Sequence, residues 1–302
     1  MGEVNRIFTE TYFGIINLLE GTYTLRIINN FIELSVKIAP YFLISILINI
    51  MLLQYLKGKK INFNSKSEVV SIFTGAFIGL VSPLPTYAAI PIGVSFISAG
   101  VPFSAIMAFI LSSPLMNPSV FFLTAAELGM EMAVARTAAA FLIALTGAFI
   151  TMKISESIYV PKAIIPFNIR TRSLGMEIYR NSLFMGKTFS VAILLSAAVK
   201  SLVPPSVVSS MLGGNAASGT LIGIGMGIPF YTCGGAAVPF METLRELGMS
   251  KGAMLAFFIA GPATKLETLY AYKTSLGSKV LIFYLVLTLL FSYCAGLIYS
   301  VL

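Results

Sequence analysis

The sequence predicts an all-α polytopic membrane protein of two inverted repeats, each holding a broken or re-entrant helical hairpin. Three observations carry this prediction. The 302 residues are 57% hydrophobic and 11% charged, with a mean hydropathy of +0.90, whereas soluble domains carry roughly 25% charged residues. The apolar runs are long and do not alternate as the strands of a membrane β-barrel would. Finally, the chain matches itself at a shift of 148 residues: Gly75 and Gly79 fall on Gly223 and Gly227, Ala88-Ala89 on Ala236-Ala237, and Pro91 on Pro239. Further on, Gly100 meets Gly248, Ala105 meets Ala253, Ala108-Phe109 meet Ala256-Phe257, and Pro114 meets Pro262, giving ten ungapped identities between 75 and 117. Alanine and glycine coincide easily in apolar sequence; two prolines in phase, one inside a shared Ala-Ala-x-Pro, do not.

Composition also excludes. A spanning helix needs about 20 apolar residues, so the length holds about eight to ten segments and little outside the bilayer, which is the first partner implied. The net charge of +8 needs no nucleic acid, because the basic residues lie mostly between hydrophobic segments, as the positive-inside rule expects. The sequence contains no histidine, so it has no His-ligated metal site. Cys233 and Cys294 are far apart and do not form a disulfide framework. There is no Walker A loop, and no cofactor is called for. The N-terminus, Met-Gly-Glu-Val-Asn-Arg, lacks a cleavable signal pattern. Oligomeric state is left open.

Taken in order, residues 1–30 read as an N-terminal interfacial segment, because the apolar run between 8 and 25 is too short to span. The first membrane repeat is 31–151. It opens with a span over 31–56, where Glu33 and Lys37 stand four residues apart and can pair. A basic loop follows (Lys57, Lys59, Lys60, Lys66), then two short apolar pieces, 69–82 and 86–99, broken at Ser82-Pro83-Leu84-Pro85. A segment over 103–125 is interrupted by Pro114 and Pro118, and a small-residue helix covers 131–151. Residues 152–177 form a cytoplasmic basic linker carrying Lys153, Lys162, Arg170 and Arg172. The second repeat, 178–302, follows the same plan: span 180–202, broken pair 217–230 and 235–247, segment 252–272, final helix 279–301.

Charge decides the topology. A single crossing by 69–99 would put the two basic loops on opposite faces. A hairpin that enters and leaves from one side puts both in the cytoplasm, makes the repeats inverted, and brings the second hairpin in from outside. A two-fold-symmetric bundle without hairpins is the alternative.

The stretch Ile228 to Pro239 stands out as the working site. It is apolar, yet Pro229, Pro239 and Gly234-Gly235 deny it a continuous helix, and broken backbone survives in lipid only where protein or water covers it. Paired interrupted segments mark a transporter's binding site. The candidate substrate-binding residues are therefore Thr232, Cys233, Gly234, Gly235 and Pro239 from the second hairpin and Pro85, Thr86 and Pro91 from the first. Asn117 and Lys265 join them, each three residues after a matched proline. A thiolate at Cys233 would be a soft ligand for trivalent arsenic or a soft metal; a small packed hydrophobe is the other reading. Lys265 either holds carbonyls freed by Pro262 or snorkels to the interface. Glu242 is the coupling candidate, a proton-linked carboxylate, with a pair to Arg245 (and Glu246 to Lys251) as the alternative. Met226, Met241, Met249 and Met254 offer either a soft path or membrane-facing filler, and Cys294 is structural.

The pattern Tyr231-Thr232-Cys233-Gly234-Gly235-Ala236-Ala237-Val238-Pro239, then Gly248, Ala256-Phe257 and Gly261-Pro262-Ala263-Thr264, resembles the predicted-permease family that includes ArsP-type efflux proteins. Pro91, Gly100, Ala108-Phe109, Ser113-Pro114 and Asn117-Pro118 fit the same family in the first half. The resemblance covers roughly 70–125 and 220–270. It implies a multi-pass permease of the cell (inner) membrane; studied relatives export trivalent organoarsenicals and others are linked to metal export. Where the metal-linked relatives carry a Cys-x-Cys-Gly element, this sequence has Pro83-Leu84-Pro85-Thr86, which leaves Cys233 as the single thiol of the site.

The leading functional reading is secondary transport of a small-molecule substrate, such as a trivalent organoarsenical, by alternating access between two broken hairpins. A metal ion or organic anion is the alternative cargo. A membrane-embedded thiol enzyme is the competing class, but no second thiol or base-nucleophile pair is visible to support one. A passive channel would not by itself explain an inverted pair.

Overall fold

The computed structural model describes residues 23–56, 67–82, 84, 86–98, 100–153, 174–227, 235 and 237–301. Of the interfacial segment expected over 1–30, residues 1–22 lie outside the described residues, as do the 57–66 loop and most of the 152–177 linker. Residues 23–30 are not a separate piece but the start of the same helix that continues through the expected 31–56 span. Within them the chain is helical, with no strand.

Six helices make the first half: α1 (Tyr23–Leu56), α2 (Glu68–Val81), α3 (Thr86–Ser98), α4 (Phe103–Ser112), α5 (Pro118–Leu128) and α6 (Met130–Lys153). The second half continues with α7 (Leu174–Leu202), a short α8 (Pro205–Val208) running into a π-helical turn at Ser209–Gly213, and α9 (Ala216–Gly227). It closes with α10 (Ala237–Glu246), α11 (Lys251–Ala263), α12 (Leu266–Ser275) and α13 (Ser278–Val301). Adding 148 to the first residues of α2, α4, α5 and α6 gives the first residues of α9, α11, α12 and α13. The repeat seen in a few prolines and glycines is thus a repeat of whole helices.

Local chemistry sets these boundaries. Asn117 caps α5 by accepting from the Val120 amide at 3.0 Å, with Pro118 at the first helical position, where its missing N–H costs nothing. Ser250 caps α11 from the same distance in sequence, accepting from Ala253 at 3.3 Å. Gly100 and Gly248 both hold positive φ, as do Gly129 and Gly277; each pair is 148 residues apart and lets the chain turn sharply between matching helices. Pro262 sits inside α11, which ends at the next residue, Ala263, before a break over Thr264 and Lys265. The helical piece 205–213 was not expected, since that stretch reads as a connection. Its Pro204-Pro205 start and Gly213-Gly214 end produce a bend of 110° into α9.

Four helices are long and apolar enough to cross a membrane, in α1, α6, α7 and α13, and the bent pair ending in α9 makes a fifth if taken as one span. Their outward faces (Leu43, Leu47, Leu142, Val191, Val286, Leu290) are exposed and apolar, as a lipid-facing surface requires. The short helices α4 and α11 are buried along nearly their whole length between them.

Small residues bring the backbones together. A Cβ on Gly75 would run into the Ala105 carbonyl oxygen, and a Cβ on Gly223 into that of Ala253. These are the same contact in the two halves, α2 on α4 and α9 on α11. The halves also exchange elements: α3 packs on α12 and α10 packs on α5. The long helices α1 and α7 lie together, with Phe42 and Phe189 stacked at 3.8 Å.

Candidate functional site

Only a few residues of the two expected breaks, Ser82, Leu84 and Gly235, are among those described. At the first, the Ser82 Oγ accepts from the Leu84 amide at 3.3 Å, and the Ser113 Oγ donates to the Leu84 carbonyl at 3.3 Å. The break is thereby tied to the end of α4. At the second, Gly235 is half-buried, its carbonyl accepts from Val238, and a Cβ added to it would come into ordinary van der Waals contact with the side chains of Val120 and Leu123 on α5. Gly235 of the second half therefore lies beside a first-half helix.

Of the expected site residues, Thr232, Cys233, Gly234 and Pro85 lie outside the described residues, as does the side chain of Thr86, whose backbone opens α3. Pro239 is buried in the first turn of α10, where proline is tolerated. Pro91 lies inside α3, half-buried. Asn117 works as a helix cap, also accepting from Ser119 Oγ at 2.9 Å. Lys265 holds the matching position before α12, half-buried and without a side-chain capping bond.

The ion pairs differ from those expected along the sequence. Lys37 does not pair with Glu33; its Nζ donates to Glu242 Oε1 and stands 3.9 Å from Glu246. Glu33 instead approaches Lys200, at 3.8 Å, and Lys200 also reaches Glu246, at 3.6 Å. Glu242 therefore does not pair with Arg245, whose guanidinium donates to the carbonyls of Leu128 and Glu127 at 3.1 and 3.3 Å. Lys251 pairs with Glu131 and not with Glu246. For the pairs expected within one helix, Glu33 with Lys37 and Glu242 with Arg245, the physical reason is common. Neighbours along one helix compete with partners on a packed helix, and burial of Glu242 favours a charge that reaches it from α1. Met241, Met249 and Met254 are buried in the core, so they are not membrane-facing filler. Cys294 is exposed on α13 and free.

Two residues of the site were missed in the sequence. Glu127, at the end of α5, is buried within hydrogen-bonding reach of Glu242. Arg136, in the second turn of α6, is 3% exposed; it donates to Thr124 Oγ1 at 2.6 Å and to the Leu115 carbonyl at 3.5 Å, with its guanidinium 3.7 Å from the Phe258 ring centroid. It thus serves a carbonyl at the Pro114 break, the role considered for Asn117 and Lys265. The available signal was an arginine inside a small-residue span, where an ionisable side chain is expensive.

The halves close differently around the seam. α1 packs on α5, with Ser45 Oγ donating to the Ser119 carbonyl at 3.1 Å, and α7 packs on α10. The matching contacts, α7 with α12 and α1 with α3, are marginal at most among the described residues. There a cleft of about 520 Å³ opens instead, lined by Pro91, Phe184, Glu267, Tyr270, Thr274 and Ser275. At the 148-residue shift Pro91 matches Pro239, Glu267 matches Ser119 and Ser275 matches Glu127. Among the described residues, one place in the fold is closed by α1 and charge pairs in one half and bordered by a cleft in the other.

Residues 24–301 match the family model described as a predicted permease, ArsP_1. The chain belongs to this permease family. The permease is also similar to the UPF0718 protein MJ0584 of Methanocaldococcus jannaschii, 31% identical over 112 residues, which cover 36% of this chain and 31% of that protein. The chain thus matches about a third of that curated relative's length. No solved structure matches it. The family and the apolar helices make this permease a multi-pass membrane protein.

Proposed function

We propose that the permease is a secondary transporter that exports a small substrate, such as a trivalent organoarsenical, across the cell inner membrane by alternating access. The two repeats lie inverted in the bilayer, with the 57–66 and 152–177 loops both cytoplasmic, and the substrate binds where the two broken hairpins meet. The observation that carries this reading is the unequal closure of matching places: α1, Ser45 and Lys37 close the α5–α10 side, while the α3–α12 side is a cleft. If the two halves exchange these arrangements, the seam opens first to one face and then to the other, as inverted-repeat transporters work.

Recognition is assigned to Cys233, flanked by Thr232 and by the Gly234-Gly235 break, with Pro85, Thr86 and Pro91 opposite. One thiolate is a soft ligand that also releases readily. Uptake of a trivalent organoarsenical into everted vesicles tests this. Cys233→Ser should lose transport with normal membrane insertion, and Cys294→Ser should leave it unchanged. Full activity in Cys233→Ser would remove thiol ligation and favour an organic anion or a metal ion as cargo.

A further inference from the structure

Glu127 and Glu242 come from different halves of the chain and bury their carboxyls against one another at the α5–α10 contact, 6% and 4% exposed. Neither Glu127 Oε1 nor Glu242 Oε2 has a hydrogen-bond donor. Two buried carboxylates so placed repel, and each bare oxygen is costly out of water. The surrounding charges do not remove the problem. Lys37 on α1 occupies Glu242 Oε1, and Arg245 is committed to the Leu128 and Glu127 carbonyls. Lys200 on α7 serves Glu246 and Glu33; Arg136 on α6 serves Thr124 and Leu115; Lys251 on α11 serves Glu131. The missing donor is a proton.

We propose that the Glu127–Glu242 pair is a proton-binding site on the seam between the halves, with Glu127 carrying the proton and donating it to Glu242. Protonated Glu127, the Glu242 carboxylate and the Lys37 ammonium then sum to zero charge. Loss of the proton to water leaves one negative charge in excess and like charges facing across the α5–α10 contact, which pushes the halves apart there. At the 148-residue shift Glu127 is matched by Ser275 and Glu242 by Val94, so only one of the two matching places carries this site. Its use in coupling rests on the transport reading; its existence does not.

Infrared difference spectroscopy on the purified full-length protein, without substrate, tests the site through the C=O stretch of a protonated carboxylic acid. The wild type should show this band near neutral pH and Glu127→Gln should lack it. In Glu242→Gln, where the like charge is gone, the band should fade at a lower pH than in the wild type. No such band in the wild type, or a band that persists in Glu127→Gln, overturns the proposal. Should Glu127→Gln not fold, an unshifted band in Glu242→Gln overturns it equally. Missing proton binding with intact arsenical transport rejects the site alone, and an intact band without transport of any cargo rejects the transport reading alone.

Discussion

Arg136 in α6 and Tyr284 in α13 occupy the same turn of the same helix in the two halves, 148 residues apart, and so do their partners Thr124 and Tyr272. In the first half a buried guanidinium spans a threonine hydroxyl, a carbonyl at the Pro114 break and an aromatic face. In the second half the two tyrosines stack at 4.0 Å with 21° between their planes. The backbone frame is shared, yet one half spends the position on charge and the other on packing. At the seam the charges come from both halves: Lys37 and Glu127 of the first and Glu242 of the second stand where their counterparts are Met185, Ser275 and Val94. The shared positions, Gly75 with Gly223 and Gly100 with Gly248, are those that set backbone approach and turn. The differing ones carry the charges. A duplicated frame is thus held by sterics that both halves obey, while the polar side chains at matching positions differ.

The sharpest way to break this comparison is cross-linking in a Cys233→Ser, Cys294→Ser background. Ser45→Cys with Ser119→Cys should be joined by a short bifunctional thiol reagent nearly completely. Their counterparts, Ile193→Cys with Glu267→Cys, should not be joined, because Glu267 lines the cleft. Equal yields from the two pairs on a denaturing gel would mean that the halves close alike. Next in size, Arg136→Gln should lower transport about tenfold or more, since a buried polar network that loses its donor costs about 1–3 kcal/mol and tenfold is about 1.4 kcal/mol. Tyr284→Phe, at the matching position, should change uptake less than about twofold under the same small cost of a lost hydroxyl.

The shared contacts should answer alike. Gly75→Ala and Gly223→Ala each push a methyl into a carbonyl of the facing helix, and each should cost about 1–3 kcal/mol of stability, read as a similar lowering of the unfolding midpoint in detergent. A large difference between them would show that the frame is not shared. The smallest effect is expected at Tyr272, whose buried hydroxyl has no partner. Tyr272→Phe removes an unsatisfied group and should be neutral or stabilising by up to about 1 kcal/mol, measured by the same melt.

Much of the architecture was legible in the chain itself. Prolines and glycines act through local backbone geometry, so Pro114, Pro118, Pro262 and the Ser82–Pro85 run mark breaks wherever the helices finally pack. The 148-residue shift fixed the matching of the two halves for the same reason, and apolar length alone gave the spanning helices. The piece 205–213 escaped because a short helix started by Pro204-Pro205 has no apolar period of its own to announce it. Local spacing failed for charge. It offered Glu33 to Lys37, one helical turn apart, and Glu246 to Lys251, five residues apart, and gave no sign that Lys37 would meet Glu242, 205 residues away. A side chain's face can be read from periodicity, but its partner depends on which helix is packed there and how much water remains. Only the tertiary structure decided that α10 lies on α5, that Glu127 and Glu242 share one dry contact, and that the matching place stands open. Those outcomes follow from helix packing and desolvation, which no single stretch of sequence encodes.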